Sequence, residues 1–254
     1  MFSVEKKHCD ITGFEALNHD VFRVRLRLKA GDPDNMHYHA GQYLDICLAD
    51  GKKASFSIAS APDQGRDLEL HIREVPGSEY NALILQTLRN RTEIDVELPK
   101  GKVHLSQTDV KPETRFIFAA ASTGFAQIKS MVEHLLANQV SNPIEIYWGA
   151  RVEADLYLER LPQQWAAEHA NVHFVPVVSE PENSPGWQGR TGLLPDVIVE
   201  DLGSVDVNLA VYACGSPGMV HALVDCLEAQ GVSEAQIHSD VFAWAPRPEK
   251  TPSA

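Results

Sequence analysis

The chain has 254 residues, of which 44% are hydrophobic and 22% charged, and its formal net charge is −13. These values are typical of a globular protein with one large domain or two of ordinary size. The strong negative charge argues against nucleic acid and anionic membrane surfaces as partners. No apolar run approaches the roughly 18 residues of a membrane helix, and the N-terminus lacks a signal-peptide core, so we expect a cytoplasmic protein.

The cysteines and histidines show none of the spacings that are typical of metal sites. Cys9, Cys47, Cys214 and Cys226 include no CxxC pair, which argues against a zinc ribbon or an iron–sulfur cluster. The histidines form no HExxH motif. The sequence therefore predicts no metal site.

The first hundred residues alternate between apolar and polar side chains with a period of two. In residues 21–30, for example, Arg23, Arg25 and Arg27 alternate with apolar residues. About six short strands separated by Gly, Pro and Asp turns indicate an antiparallel barrel or sandwich, with one helical insert near residues 78–90. The predicted strands are residues 21–30, 41–50, 55–60, 67–75, 93–98 and 101–105.

After residue 112 the pattern changes to continuous apolar runs, which are typical of strands covered on both faces. Helical patterns lie between these runs, one at residues 126–139 and one that begins at Ser216 and ends at Gly231. Strands that alternate with helices predict a parallel α/β sheet. The predicted strands in this half are residues 116–121, 144–150, 172–178 and 209–215.

The fold prediction is therefore a two-domain protein. An N-terminal antiparallel β-barrel of about six strands spans residues 1–108, and a C-terminal α/β parallel-sheet nucleotide-binding domain spans residues 109–246. Residues 247–254 are rich in proline and polar residues and are predicted to form a mobile tail.

Two loops of small residues follow strands of the predicted parallel sheet, where such sheets bind ligands. In the first, residues 119–125, the backbone N–H groups of Ser122, Thr123 and Gly124 could hold a pyrophosphate at the start of a helix. A tight packing turn is the alternative interpretation. The loop is not the GxGxxG dinucleotide motif.

The second loop, residues 213–219, places Cys214 at the end of a strand, and Gly215 and Gly218 would let a ligand approach the backbone. Cys214 could equally be a small buried apolar residue. No serine–histidine–acid order and no paired carboxylates are visible, so hydrolytic catalysis has no candidate site.

An ordered series of short motifs, spread over nearly the whole chain, resembles the ferredoxin–NADP reductase superfamily, and within it the NAD(P)H:flavin oxidoreductases. The resemblance runs from about residue 5 to residue 244. It implies a flavin-binding barrel followed by an NAD(P)H-binding domain. The motifs are GQY, FSIAS and LHI, followed by STGF, IYWGAR, GWQGRTG and CGSPGM.

The resemblance assigns the flavin to the strand that contains Ser57. Family members carry Arg-x-(Tyr/Phe)-Ser there, and the serine hydroxyl approaches flavin N5, so Ser57 is the predicted catalytic residue. Ala54 stands where the family has the arginine that meets a flavin phosphate, and Lys52 and Lys53 are candidate substitutes, although lysine lacks the bidentate fork. The implied flavin-binding residues are Lys53, Ser55, Phe56, Ser57, Ile58, Ala59, His71 and Ile72.

The resemblance assigns the nicotinamide nucleotide to the two small-residue loops. Ser122 departs from the family, which usually has glycine at this position. Arg151 and Arg190 are candidates for contact with an adenosine phosphate, and a plain surface charge is the alternative for each. The implied NAD(P)H-binding residues are Ser122, Thr123, Gly124, Arg151, Cys214, Gly215, Ser216 and Pro217.

The predicted activity is hydride transfer from NADH or NADPH to FAD or FMN, with release of the reduced flavin. Ala54 and an unclear second phosphate motif at Gly77–Ser78 favour a flavin that is a substrate or weakly bound; resident FAD is the alternative. A flavin-using oxygenase is a candidate partner. Two other hypotheses are an FAD-containing reductase that passes electrons to a ferredoxin or oxygenase, and a non-enzymatic subunit that senses flavin or nucleotide.

Overall fold

A computed structural model describes residues 2–29, 37–105, 110–205 and 207–247. Within these residues the strands form two six-stranded sheets, one from each half of the chain. The first is antiparallel, with the order β4-β3-β6-β1-β2-β5, and a bridge between Ile58 and Leu70 joins its two edges into a barrel. Its strands are β1 (Glu5–Ala16), β2 (Val21–Leu28), β3 (Tyr43–Cys47), β4 (Lys53–Ser57), β5 (Asp67–Arg73) and β6 (Glu93–Lys100).

The barrel follows from the alternation of apolar and polar residues. On β2, Val24, Leu26 and Leu28 are at most 5% exposed and pack in the barrel core, while the arginines between them pair with acidic residues outside. Helix α1 (Glu79–Asn90) starts after Ser78, which caps it, and packs its apolar side on the same core. The predicted antiparallel barrel and the predicted helix are confirmed.

Two details of the barrel differ from the sequence prediction. β1 was not predicted, because most of its residues are polar and only Cys9 is fully buried; pairing with β2 and β6 holds this strand in the sheet. The predicted strand at residues 101–105 is wrong. Gly101 has a positive φ, and Leu105 packs in the core of the second half of the molecule, with its N–H donating to Ala40 O.

The second sheet is parallel, with the order β10-β9-β8-β7-β11-β12. The parallel α/β sheet and the two helices predicted at residues 126–139 and 216–231 are confirmed. The other three helices and the two-residue strands were not predicted. The strands are β7 (Arg115–Ala121), β8 (Ile144–Ala150), β9 (Val172–Val178), β10 (Arg190–Thr191), β11 (Leu209–Cys214) and β12 (Ile237–His238). The helices are α2 (Phe125–Ala137), α3 (Arg160–Glu168), α4 (Leu194–Asp201), α5 (Pro217–Ala229) and α6 (Val241–Trp244).

The strand order of this sheet brings the two small-residue loops together. β7 has β8 on one side and β11 on the other, and Ala120 at the end of β7 pairs with Cys214 at the end of β11. From β7 to β10, successive strands are added on one side of β7, whereas β11 and β12 are added on its other side, so the order of strand addition reverses between β7 and β11. Such a switch point is where open α/β sheets bind ligands.

Helix α2 attaches the second sheet to the barrel through buried polar side chains. Gln127, Lys129 and Ser130 are at most 5% exposed. Gln127 Nε2 donates to Gly41 O at 2.8 Å, Lys129 Nζ donates to Ala59 O at 3.3 Å, and Ser130 Oγ donates to Ser60 O at 2.7 Å. The acceptors lie just before β3 and just after β4, which is the same end of this antiparallel strand pair, so α2 is anchored at that end.

A second buried polar contact crosses the same interface at His71. Tyr157 O–H donates to His71 Nδ1 at 3.0 Å, and His71 Nε2–H donates to Glu69 Oε1 at 2.7 Å. Burial lowers the pKa of His71, so the ring is neutral. Burial raises the pKa of Glu69, but the hydrogen bond from His71 and the charges of Lys129 and Arg23 together bring that pKa down to about 2.

Some predicted features lie outside the described residues. The domain boundary between residues 108 and 109 is one of them, and the predicted mobile tail is another, apart from its first residue. Arg247 forms an ion pair with Glu228 of α5 at 3.0 Å. Among the helices of the described residues, none is both long enough and apolar enough to cross a membrane.

The contact at His71 generates a stability prediction. Tyr157→Phe removes the hydroxyl that donates to His71 Nδ1 and leaves a buried ring nitrogen without that partner. We expect the free energy of unfolding to fall by about 1–3 kcal/mol in a urea titration. Tyr80→Phe is the matched control, because the hydroxyl of Tyr80 bonds Lys53 O at the surface, and its effect should stay within about 0.5 kcal/mol. Equal decreases in the free energy of unfolding of the two variants would contradict the buried hydrogen bond between Tyr157 and His71.

Candidate functional site

Strand β4 presents alternate side chains to the barrel core and to its outer surface. Ala54 pairs with Ile46 and Phe56 with Leu44 across the core-facing side. Ala54 is 7% exposed, so the position at which the family carries arginine faces the barrel core in this chain.

On the outer side of β4, two of the three polar residues are already bonded. Lys53 Nζ donates to Glu97 Oε1 at 2.7 Å, and Ser55 Oγ donates to Asp45 Oδ1 at 2.6 Å. Ser57 is half-buried at the end of the strand, and no hydrogen bond engages its hydroxyl within the part of the chain that the structure describes. Ser57 is therefore the hydroxyl of this strand that a ligand can use.

The other residues predicted to meet the flavin are buried. Ile58, Ala59 and Ile72 have no exposed surface, and both ring nitrogens of His71 are bonded at the interface. These four residues therefore present almost no surface to a flavin, and the N–H groups of Ile58 and Ala59 are bonded within the barrel. Ser60 is buried as well, and its Oγ accepts a hydrogen bond from Glu69 N at 3.1 Å, which gives it a structural role.

The loop after β7 is held from two sides at Ser122, which has a positive φ of 53°. This is the left-handed region that disfavours residues other than glycine. Arg73 Nη1 donates to Ser122 Oγ at 3.3 Å, and Trp148 Nε1 donates to Ser122 O at 3.1 Å. The hydroxyl of Ser122 is thus bonded to β5 of the barrel. Thr123, the next residue, is partly exposed.

The loop after β7 touches the loop after β11 at a glycine. A Cβ atom on Gly124 would lie 2.1 Å from Cys214 O, and one on Gly215 would lie 3.0 Å from the Cβ of Ala121. Both loops therefore need residues without side chains. Ser216 caps α5 by accepting a hydrogen bond from Met219 N at 3.3 Å, and Pro217 is the first residue of that helix.

The two arginines proposed to meet an adenosine phosphate already have acidic partners. Arg151 is strongly exposed and pairs with Glu180 at 3.0 Å. Arg190 pairs with Glu200 and with Asp201. Contact with a phosphate would require either arginine to exchange its carboxylate partner.

A buried polar cluster, which no pattern in the sequence indicated, lies beneath the two loops. Cys214 Sγ–H donates to Gln127 Oε1 at 3.0 Å, and Gln127 Nε2 donates to Asp240 Oδ2 at 2.9 Å. Burial raises the pKa of the Cys214 thiol well above its ordinary value, so the thiol is neutral. Burial also raises the pKa of Asp240 to about 6, although hydrogen bonds from Gln127 and from the N–H of Val103 act in the opposite direction.

The cluster continues from Asp240 to the barrel. A Cβ atom on Gly101 would lie 2.9 Å from the ring of Tyr43 and 3.5 Å from Asp240 Oδ1, so both side chains lie next to Gly101. Tyr43 pairs with Ser57 across β3 and β4. A continuous set of neighbours therefore connects Ser57 to Cys214 through Tyr43, Asp240 and Gln127.

A cavity of about 540 Å³ lies elsewhere, at the opposite edge of the parallel sheet. Thr114 and Leu209, at the amino ends of β7 and β11, contribute to its lining, as do Lys102 and His238. It is separate from the two small-residue loops, which lie at the carboxyl ends of the same strands.

The residues present fit a flavin and a nicotinamide nucleotide. The hydroxyl of Ser57 is unbonded within the described residues and lies beside Tyr43, which suits the polar edge of a flavin ring. The close approach of Gly124 to Cys214 leaves backbone rather than side chains where the dinucleotide would lie, at the positive start of α2.

Both halves of the chain match families of known proteins. An oxidoreductase FAD-binding domain matches residues 8–105, and an oxidoreductase NAD-binding domain matches residues 118–225. Protein RfbI of Salmonella typhimurium is 35% identical over 234 residues, which cover 92% of this chain and 67% of RfbI. The NAD(P)H-flavin reductase of Vibrio harveyi is 31% identical over 212 residues, which cover 82% of this chain and 85% of that protein.

A solved structure has a similar fold. The crystal structure of the Amycolatopsis cytochrome P450 reductase GcoB has a TM-score of 0.82 and 27% sequence identity, and the match covers 93% of this chain and 69% of GcoB. The chain belongs to the ferredoxin–NADP reductase superfamily and carries its FAD-binding and NAD-binding domains. It spans about two thirds of the length of RfbI.

The contact between the two loops can be tested at Gly124. In Gly124→Ala the new methyl group meets the backbone carbonyl of Cys214, which cannot move away without shifting the strand end. We expect the free energy of unfolding to fall by about 1–3 kcal/mol or more, measured by urea denaturation. Gly218→Ala is the control, since nothing lies within 4 Å of its added Cβ, and alanine in helix α5 should be neutral or stabilising by up to about 1 kcal/mol. Similar free energies of unfolding for the two variants would contradict the close approach of Gly124 to the backbone of Cys214.

Proposed function

We propose that this protein is an NAD(P)H-dependent flavin reductase that transfers a hydride from NADH or NADPH to FAD or FMN and releases the reduced flavin. The observation that carries the proposal is the continuous set of neighbours from Ser57 to Cys214. It joins β4, the strand assigned to the flavin, to the loops after β7 and β11, which are assigned to the nicotinamide nucleotide. The similarity to the Vibrio harveyi NAD(P)H-flavin reductase supports it. The cytoplasm, which supplies NAD(P)H, is the compartment we propose.

The flavin and the nicotinamide supply the redox chemistry when they are bound, and the chain supplies position and electrostatics. Ser57 would donate a hydrogen bond to flavin N5. The backbone N–H groups of Thr123 and Gly124, at the start of α2, would hold the phosphates of the nucleotide. The neutral thiol of Cys214 would give a small, uncharged wall beside the nicotinamide.

The contacts available to a flavin phosphate favour a weakly bound flavin. Ala54 offers no charge, and Lys53 is paired with Glu97. The hydroxyl of Ser78 accepts a hydrogen bond from Asn81 N as the cap of α1, so this side chain is turned toward its own helix. A flavin whose ring is held while its phosphate end has few partners is suited to act as a substrate.

The second candidate function is electron transfer from resident FAD to a protein partner. The similarity to GcoB, a cytochrome P450 reductase, favours it. In that case an oxygenase would receive electrons directly, whereas in our main proposal a flavin-using oxygenase would receive the released flavin. The net charge of −13 makes long-range attraction to an acidic ferredoxin unfavourable.

Desalting separates the two functions. We expect the purified protein to lose its flavin absorbance on gel filtration and to oxidise NADH or NADPH only when FAD, FMN or riboflavin is added. The reason is the scarcity of phosphate partners near β4. One equivalent of FAD that survives gel filtration would contradict this and favour the electron-transfer function.

The role of Ser57 can be tested by kinetics. Ser57→Ala removes one hydrogen-bond donor from the reacting end of the site, and we expect kcat to fall by about 10–1000-fold while the flavin KM changes much less. Ser57→Thr keeps a hydroxyl on a strand position that tolerates β-branched residues, and it should recover part of the rate. A change in KM alone, or equal rates for the alanine and threonine variants, would show that Ser57 is structural.

A further inference from the structure

Gln127 is a buried polar residue whose amide is fully engaged with three separate segments of the chain. Its side chain lies in the first turn of α2 and is 5% exposed. Nε2 donates to Gly41 O at 2.8 Å and to Asp240 Oδ2 at 2.9 Å, while Oε1 accepts from the thiol of Cys214 at 3.0 Å. One amide thus joins the barrel, the segment before α6 and the end of β11.

The partners allow only one orientation of this amide. The carbonyl of Gly41 and the carboxyl oxygen of Asp240 accept hydrogen bonds, so they require the NH₂ group. The remaining oxygen then faces the sulfur of Cys214, and the thiol satisfies it by donating its proton. A thiolate would have no proton to give, so this arrangement selects the neutral thiol.

We propose that Gln127 is a positioning residue of the hydride-transfer site, which fixes the orientation of the Cys214 thiol beside the nicotinamide. The proposal rests on the flavin reductase function above and deepens it. The anchor on Gly41 matters because it ties the thiol to the loop before β3, the strand whose Tyr43 pairs with Ser57. The thiol is therefore placed relative to the flavin strand, and not only relative to its own loop.

The alternative is that Gln127 merely joins the two sheets, and α2 offers a matched control for that role. Ser130 lies on the same helix, is fully buried and also donates to a barrel carbonyl, at Ser60 O. The hydroxyl of Ser130 donates to Ser60 O and not to the cluster at Cys214. Ser130→Ala therefore loosens the interface without releasing the thiol, and Ser60 O keeps the hydrogen bond from Tyr38.

The first readout is the infrared S–H stretching band of the protein without ligands. The band of Cys214 is identified from the difference between wild type and Cys214→Ala. Gln127→Met keeps the length of the side chain and removes its amide, so we expect this band to move to higher frequency, as for an unbonded thiol. Ser130→Ala should leave it in place. If Gln127→Met does not fold, Gln127→Asn, whose shorter side chain cannot span the three partners, gives the same comparison.

The second readout is the single-turnover rate of flavin reduction by NADH or NADPH. We expect about a tenfold slower rate in the Gln127 variant, with the flavin KM unchanged, and a rate close to wild type in Ser130→Ala. The proposal is overturned if the S–H band stays unmoved in the Gln127 variant, or if the band moves and the rate does not. It is also overturned if the Gln127 and Ser130 variants lose rate equally. If the wild-type protein reduces no flavin, the proposed function itself is overturned. This outcome is distinct from the others because it is measured on wild type alone.

Discussion

The arrangement of the whole molecule depends on the buried polar start of helix α2. Gln127, Lys129 and Ser130 donate to backbone carbonyls at one end of the β3–β4 strand pair. Buried polar groups are costly unless they are bonded, so these side chains are stable in one relative placement of the two sheets. The helix that begins at the loop after β7 is thereby also the element that holds β3 and β4 in place.

This constraint explains why the site needs so few charged residues. The loops after β7 and β11 touch at Gly124 and Cys214, and Ser122 is bonded to Arg73 of the barrel. The distance between these two loops and β4 is therefore set by packing and hydrogen bonds within the protein. A site built in this way orients two ligands by shape, which suits a reaction whose chemistry belongs to the ligands themselves.

The sequence predicted the layers of the fold, since alternation identifies barrel strands and continuous apolar runs identify parallel strands. It also located both small-residue loops. It did not predict that the polar side of α2 is buried, because the apolar spacing of a helix indicates one covered face and leaves the other to solvent. Nor did it identify Gln127 or Asp240, whose roles arise only where segments distant in sequence meet. β1 was missed because backbone pairing, rather than apolar side chains, holds it in place.

The central proposal is that the flavin binds at β4 and the nicotinamide nucleotide at the loops after β7 and β11, with the cluster around Gln127 linking these two parts of the site. Amide NMR shifts during titration with riboflavin and then NAD⁺ test it most directly. The account predicts that riboflavin shifts signals of β4, that NAD⁺ shifts those of residues 122–124 and 214–216, and that the side-chain amide of Gln127 responds to both. Riboflavin shifts confined to the cavity that includes Lys102 and His238, with no response at Gln127, would contradict it.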